Sequence, residues 1–181
     1  MVDVSSALVS ADGRFRLDLH RRWGDCSTVM WIMLNPSTAD ARCDDPTIRR
    51  CVSHSRRWGY GGLVVCNLYA IRCTDPRILD SLGDIIGVGN DEHISVLAAS
   101  SDLILAAWGS KPNRGAYPDR AEFVLDRLRA HDLYAIGTCS NGEPRHPLYS
   151  RNDVLPELWC HPISPRDGTL RSNRGLRETA E

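Results

Sequence analysis

The chain of 181 residues lacks the features that mark several specialised classes of protein. No apolar run reaches the length of about 18 residues that a membrane-spanning helix needs, and the first residues are too polar for a signal peptide. The seven cysteines include no CxxC pair, which argues against a disulfide framework or a zinc knuckle. We therefore expect a single α/β domain over residues 1–163, in a reducing cytoplasm and without a membrane partner.

Lysine is almost absent, since Lys111 is the only one. The other basic residues are arginines, which suit bidentate recognition of phosphate or carboxylate. A net charge of −1 argues against a protein whose main role is to bind duplex DNA non-specifically. Residues 164–181 are rich in Arg, Ser and Gly and poor in apolar residues, so we predict a disordered tail there. The oligomeric state stays open.

Apolar runs alternate with helical patterns along the chain. Patterns typical of strands lie at Arg14–His20, Thr28–Leu34, Leu63–Leu68, Asp102–Ala107 and Leu133–Ile136. Helices are predicted from Pro46 to about Trp58 after an Asp45 cap, through Ala99 after a cap by Asn90 or Asp91, and within Ala116–His131. This order predicts a three-layer α/β/α sandwich with a mostly parallel central sheet.

The segment 29–50, VMWIMLNPSTADARCDDPTIRR, concentrates groups able to do chemistry directly after an apolar strand. Its polar residues are Asn35, Ser37, Thr38, Asp40, Asp44 and Asp45. The amide of Asn35 can hold a water or a ligand carbonyl, and Asp40 or Asp45 can act as a general base. The alternative is that these residues only cap and turn the chain. No spacing matches a dedicated metal cage, so we expect no metal and no other cofactor, although the three acids could share Mg²⁺ through waters.

Two later strands also end in polar or aromatic groups. Asn67 ends an apolar strand, with Arg72 soon after, and its amide presents a donor and an acceptor that match the edge of a nucleobase. An equal alternative is that Asn67 satisfies the backbone of a neighbouring loop. Trp108 and Gly109 end another strand, where the glycine allows close approach of a ligand and the tryptophan alternatively closes the core. Since parallel strands present their carboxyl ends at one edge, these groups predict one cleft.

The loop GEPRHPLYS (142–150) has no evident packing role. His146 can donate to a developing anion or act as an acid or base near neutral pH. Arg145 can bind phosphate, and Tyr149 can stack on a base. On the helix after Asp45, the arginines are expected to form a solvated face, with Arg49 close enough to the cleft to meet phosphate.

Six motifs resemble an uncharacterised family of bacterial and phage proteins. They are LNPSTAD (34–40), DDPTIRR (44–50), GYGGLVVCNLYAIR (59–72), GND (89–91), AWG (107–109) and PRHPLY (144–149). The resemblance covers roughly residues 14–153, and that family brings no established activity with it.

Four segments in the same order resemble, more distantly, the uracil-DNA glycosylase superfamily. They are MLNPS (33–37), VVCNLYAIR (64–72), LILAAWGS (103–110) and HPLYS (146–150). The resemblance implies that Asn35 positions the attacking water, that Asn67 recognises the base edge, and that His146 stabilises the departing base. HPLYS lacks the second proline of the superfamily's motif, and no apolar wedge residue is evident after it.

We therefore expect an N-glycosidase that acts on a nucleobase in a nucleotide, a nucleoside or modified DNA, with Arg145 and Arg49 meeting phosphate. An alternative is a non-catalytic module that binds a nucleotide or a modified base in the same cleft. A third is a metal-assisted hydrolysis of nucleotides by Asp40, Asp44 and Asp45.

Overall fold

A computed structural model describes residues 4–25 and 27–159 of the chain. The strands are β1 Val4–Val9, β2 Arg16–Arg22, β3 Thr28–Met33, β4 Gly62–Asn67, β5 Leu103–Ala106, β6 Leu133–Ala135 and β7 Glu157–Leu158. The helices are α1 Pro46–Arg57, α2 Asn90–Ala99 and α3 Arg120–Arg127, and 3₁₀ turns lie over Pro76–Ser81 and Pro147–Tyr149. The described strands form one sheet in the order β1-β2-β4-β3-β5-β6-β7.

The sheet is mixed, so the expectation of a mostly parallel sheet is wrong. β4, β3, β5 and β6 run parallel to one another. At the edges, β1 and β2 pair antiparallel next to β4, and β7 pairs antiparallel with β6. The sequence patterns did not indicate β1 or β7, because β1 is largely exposed and β7 is only two residues long. The apolar runs identified only strands that are buried on both faces.

Side chains alternate along the central strands, so successive residues enter two separate cores. On one face, Trp31 packs in a cluster with Ile48 of α1. On the other face, Ile32 packs in a cluster with Ile94 of α2 and Val124 of α3. Helices therefore cover both faces of the sheet, and the predicted α/β class is confirmed.

The start of α1 follows the sequence prediction closely. Asp45 is the N-cap, with its Oδ1 accepting from the Ile48 backbone N–H at 2.9 Å, and Pro46 takes the first helical position. Residues 34–45 connect β3 to α1, so the polar segment that leaves the carboxyl end of β3 ends at this cap.

The start of α2 differs from the prediction, because neither Asn90 nor Asp91 is its cap. Gly89 takes that position with a φ of 77°, and no side chain caps the helix. Asn90 is instead buried, and its Nδ2 donates to the backbone carbonyls of Asn67 at 3.1 Å and Leu68 at 3.3 Å. Asn90 thus fastens α2 to the end of β4.

No helix within the described ranges is long and apolar enough to cross a membrane. The cysteines that the structure describes are free thiols, and Cys51 and Cys66 are fully buried, which raises the pKa of each. The tail predicted over residues 164–181 lies outside the described residues.

Candidate functional site

A cleft of about 480 Å³ opens at the carboxyl ends of β3 and β5. Its walls come from the ends of these strands, the first turn of α1, the residues at 108–114 and the 3₁₀ turn after His146. This volume lies within the range of small-molecule sites. The position, at the carboxyl edge of parallel strands, is where open α/β sheets bind ligands.

The cleft brings together most of the predicted site residues from well-separated parts of the chain. Those that line it are Asn35, Ser37, Thr38, Asp45, Trp108, Gly109, His146 and Tyr149. The predicted residues that do not line it are Asp40, Arg49, Asn67, Arg72 and Arg145.

The three acids that follow Asn35 in the sequence have separate partners. Asp40 accepts the backbone N–H groups of Arg42 at 2.8 Å and Cys43 at 2.9 Å, and these bonds lower the pKa of its carboxyl. Asp44 forms an ion pair with the buried Arg21, and Asp45 caps α1. Across residues 4–25 and 27–159, no group of three or more His, Cys, Asp or Glu side chains is arranged to hold a metal.

The predicted phosphate-binding arginines point their guanidinium groups at backbone carbonyls. Arg49 Nη1 donates to the Asp44 carbonyl at 2.5 Å, and Arg145 Nη2 donates to the Thr138 carbonyl at 2.9 Å. Arg72 lines a separate depression next to the cleft. None of the three lines the cleft in the structure.

Asn67 does not line the cleft. It pairs with Met33 across β3 and β4, and Met33 lines the cleft. The Asn67 side chain is fully buried, and neither its Oδ1 nor its Nδ2 has a hydrogen-bond partner in the described structure. Asn67 therefore neither contacts the cleft nor satisfies a neighbouring loop through its side chain.

The amide of Asn35 is fixed in one orientation. Its Nδ2 donates to the backbone carbonyls of Pro36 at 2.9 Å and Cys73 at 2.7 Å, which uses both N–H groups. No described residue donates to Oδ1. Asn35 thus presents a hydrogen-bond acceptor at the cleft, the property needed to orient a water molecule.

Asp45 supplies the carboxylate of the cleft. One oxygen, Oδ1, is occupied by the helix cap, and no described residue donates to Oδ2. The negative charge of Asp45 acts to raise the pKa of both Arg16 and His146, so these three groups are electrostatically coupled. The second oxygen remains able to accept a proton or to face positive charge.

His146 is held as a neutral donor. Its Nδ1 accepts the Leu148 backbone N–H at 3.3 Å, so the neutral ring carries its proton on Nε2. Burial lowers the pKa of His146, and the charge of Asp45 opposes this shift without cancelling it. At neutral pH, His146 is therefore uncharged and has an Nε2–H group to donate.

The backbone next to His146 adopts a left-handed conformation at residue 109, and this conformation favours glycine. Gly109 has a φ of 86°, and its N–H donates to the Pro144 carbonyl at 3.0 Å. Trp108 is buried and donates through Nε1 to Glu143 at 2.8 Å, so its packing role is substantial. Tyr149 is 77% exposed at the rim, with its ring centroid 5.9 Å from that of His146.

A family model described as "Protein of unknown function (DUF1643)" matches residues 15–148. The chain belongs to this family. The expected membership of an uncharacterised family is thereby confirmed. Searches of curated proteins and of solved structures gave no significant match, so the resemblance to the uracil-DNA glycosylase superfamily stays a prediction. Within the DUF1643 match lie all the cleft residues named above except Tyr149.

Helix α1 of this DUF1643 member positions the loop that carries His146. The sequence predicts a solvated face for the arginines of this helix and does not indicate this role. Arg50 donates to the Ser150 carbonyl and to Asn152 Oδ1, and His54 Nε2 lies 3.0 Å from Ser150 Oγ. His54 also stacks on Trp58, with ring centroids 5.4 Å apart. The 3.6-residue period of α1 places His54 on its buried side, and this signal was present in the sequence.

Arg16 also lines the cleft, and the sequence did not indicate it as a site residue. The alternation in Arg14–His20 predicted a half-exposed strand, yet Arg16 is only 1% exposed. Its side chain reaches the segment between β3 and α1, where Nη1 donates to the Ala39 carbonyl at 2.7 Å. Burial lowers the pKa of Arg16 to about 10, which leaves the side chain charged at neutral pH.

Proposed function

We propose that this protein is an N-glycosidase that hydrolyses the bond between a nucleobase and its sugar. The observation that carries this proposal is the set of three complementary groups in one cleft. Asn35 has an unoccupied acceptor, Asp45 has a carboxylate oxygen without a donor, and His146 has a neutral N–H donor. The motif order that resembles the uracil-DNA glycosylase superfamily supports the same reaction, and a glycosylase-like three-layer fold is part of the proposal.

Each group has a defined task in glycosidic hydrolysis. The bond from C1′ to the base nitrogen breaks, its electron pair leaves with the base, and the sugar passes through an oxocarbenium-like state. Asn35 Oδ1 accepts a hydrogen bond from the attacking water, whose oxygen bonds to C1′. Asp45 stabilises the positive sugar and takes the proton that the water loses. His146 Nε2–H donates to the departing anionic base.

Contacts to the base come from residues at the cleft surface. Tyr149 stacks on the base at the rim, and the hydroxyls of Ser37 and Thr38 offer donors and acceptors. Asn67, which the resemblance assigns to the base edge, is fully buried and pairs with Met33 on the neighbouring strand, and so it supports a residue that lines the cleft in this proposal.

Release of free base is the direct test. Nucleosides, nucleoside 5′-monophosphates and single- and double-stranded oligonucleotides with modified bases are incubated with the protein, and free base is measured by chromatography and mass spectrometry. Loss of one such donor costs about 3–4 kcal/mol in transition-state stabilisation, so His146→Ala should slow release by roughly a hundredfold or more. Asn35→Ala should also slow release strongly.

His131→Ala is the matched control, because His131 does not line the cleft, and it should leave the rate unchanged. Full activity in His146→Ala or Asn35→Ala would contradict the mechanism. Tight binding of nucleotides without any base release would instead favour the non-catalytic module.

A further inference from the structure

The cleft is locally positive although the chain as a whole carries a net charge of −1. Among the described residues that line it, the cationic side chains are Arg16, Lys111 and Arg114, and the only carboxylate is Asp45. His146 adds no charge at neutral pH, since burial lowers its pKa. A concave site with this balance attracts anions.

Arg16 is the most informative of these cations. Its Nη1 donates to the Ala39 carbonyl at 2.7 Å, but its buried Nε has no hydrogen-bond partner. Within the described part of the chain it also forms no ion pair. A buried charge is costly unless it is paired and hydrogen-bonded, so the folded chain alone leaves Arg16 incompletely satisfied.

Arg114, from a distant part of the chain, also has an unpartnered guanidinium nitrogen. Its Nε is buried without a hydrogen-bond partner, and the structure gives it no ion pair with a described residue. Lys111, three residues earlier, is exposed and lines the same cleft. Two guanidinium groups with unpartnered donors and one exposed ammonium group therefore line one cleft.

We propose that Arg16, Arg114 and Lys111 bind a phosphate group of the substrate, which is therefore a nucleotide or a nucleic-acid strand and not a free nucleoside. This inference rests on the proposed function, because it names the substrate class of the same cleft. Guanidinium forks suit bidentate bonds to phosphate oxygens, and lysine adds a point charge. These residues take the role that the sequence assigned to Arg49 and Arg145.

The test measures binding separately from catalysis. Calorimetric titrations compare uridine, adenosine, their 5′-monophosphates and inorganic phosphate at low salt. A monophosphate should bind on the order of tenfold tighter than its nucleoside or better, and inorganic phosphate should compete with it. Arg16→Met should abolish this preference, and Arg114→Met and Lys111→Met should weaken it by smaller factors.

Arg151→Met is the matched control, because Arg151 is an exposed arginine that pairs with Asp153 away from the cleft, and it should leave the preference intact. Equal affinity of wild type for nucleosides and monophosphates would overturn the inference, as would full preference in both arginine variants. If Arg16→Met does not fold, Arg114→Met and Lys111→Met decide the outcome.

A further arm separates the two sources of phosphate. A short single-stranded oligonucleotide that binds tighter than the monophosphates, with a steep loss of affinity in salt, identifies a strand; equal or weaker binding identifies a free nucleotide. Phosphate preference without base release keeps this inference and rejects the glycosidase. Base release with equal affinity for nucleosides and nucleotides rejects this inference alone.

Discussion

Arginines that are buried away from the cleft differ in their partners from the arginine that is buried at the cleft. Where α3 meets α2 and the end of β4, Arg120 donates to the Leu68 carbonyl at 2.8 Å and to Asp91 at 2.5 Å. Under the loop that leads to α1, Arg21 is paired with Asp44 and also donates to the Asp40 carbonyl at 2.6 Å. In both places the chain itself supplies the carboxylate that a buried guanidinium needs.

At the cleft, Arg16 has only the Ala39 carbonyl. Asp45 is the carboxylate with the largest electrostatic effect on Arg16, but the two form no ion pair. The difference separates two uses of a buried arginine. Arg21 and Arg120 are completed by the fold, whereas we propose that Arg16 is completed by the substrate.

The largest change in the free energy of unfolding is expected where the chain itself completes a buried arginine. Arg120→Met removes one partner of a buried ion pair and leaves Asp91 without it, so the free energy of unfolding should fall by about 3–5 kcal/mol. Urea denaturation measures this change. Arg77→Met is the control, since Arg77 pairs with Asp75 on the surface and its loss should leave the urea midpoint unchanged. A fall of similar size in both variants would contradict the distinction between buried and exposed pairs.

The stability of the fold should depend on pH through two histidines, His54 and His146. His54 is buried in contact with Trp31 and Trp58, and burial, with the nearby Arg50 and Arg57, lowers its pKa to about 4. A group whose folded pKa is depressed below an ordinary value near 6.5 binds its proton more readily in the unfolded chain. Stability should therefore be complete above about pH 6.5 and should decline as the pH falls towards about 4.

The decline attributable to His54 has an upper limit of about 3 kcal/mol. His54→Phe keeps the ring stack and removes the titration, so it should flatten most of the pH dependence of unfolding in that window. His146, whose pKa is also lowered, contributes in the same direction. An unchanged slope in His54→Phe would contradict the assignment.

At the cleft, the backbone next to His146 depends on Gly109, whereas the other two regions depend on ion pairs. Gly109→Ala forces alanine into a φ of 86°, which costs about 1–2 kcal/mol. The new methyl would lie 3.6 Å from His146 Cβ, an ordinary contact, so backbone strain should dominate. Thermal unfolding measures the loss, and Gly13→Ala, at a φ of 73° with open space around it, is the matched control. A much larger loss at Gly109 would mean that the His146 loop is displaced.

The smallest effect on stability is expected at Arg16. Arg16→Met loses the bond to the Ala39 carbonyl but also removes an incompletely paired buried charge, so the net change should stay within about 1 kcal/mol. Urea denaturation of Arg16→Met and Arg120→Met under the same conditions compares the two losses directly. A loss as large as that of Arg120→Met would show that Arg16 is structural.

Local patterns in the sequence were sufficient for much of the framework. The Asp45-Pro46 pair predicted where α1 begins, and the apolar runs predicted the buried strands. Asn35, Trp108 and His146, which follow three of those runs, do gather at one cleft, whereas Asn67 does not line it. These features are encoded within a few neighbouring residues, so a linear reading finds them.

The remainder depends on contacts between distant residues. Asp40, Asp44 and Asp45 are neighbours in the sequence, yet each has a different partner. Asp40 accepts hydrogen bonds within a turn, Asp44 pairs with the distant Arg21, and Asp45 caps α1. Arg16 contacts the segment between β3 and α1, 23 residues further along the chain, and no pattern within β2 predicts this contact. An alternating strand looks the same in sequence whether its polar face is covered or open.

The central claim is that the substrate completes the environment of Arg16, and ligand-induced stabilisation tests it most directly. Thermal unfolding of wild type and Arg16→Met is followed with and without a saturating nucleoside 5′-monophosphate. A ligand at about 100 times its Kd stabilises the folded state by about 2.7 kcal/mol, so the wild-type Tm should rise clearly, and the Tm of Arg16→Met, with an affinity about tenfold weaker, should rise by about half as much. An equal rise in both proteins would contradict the account.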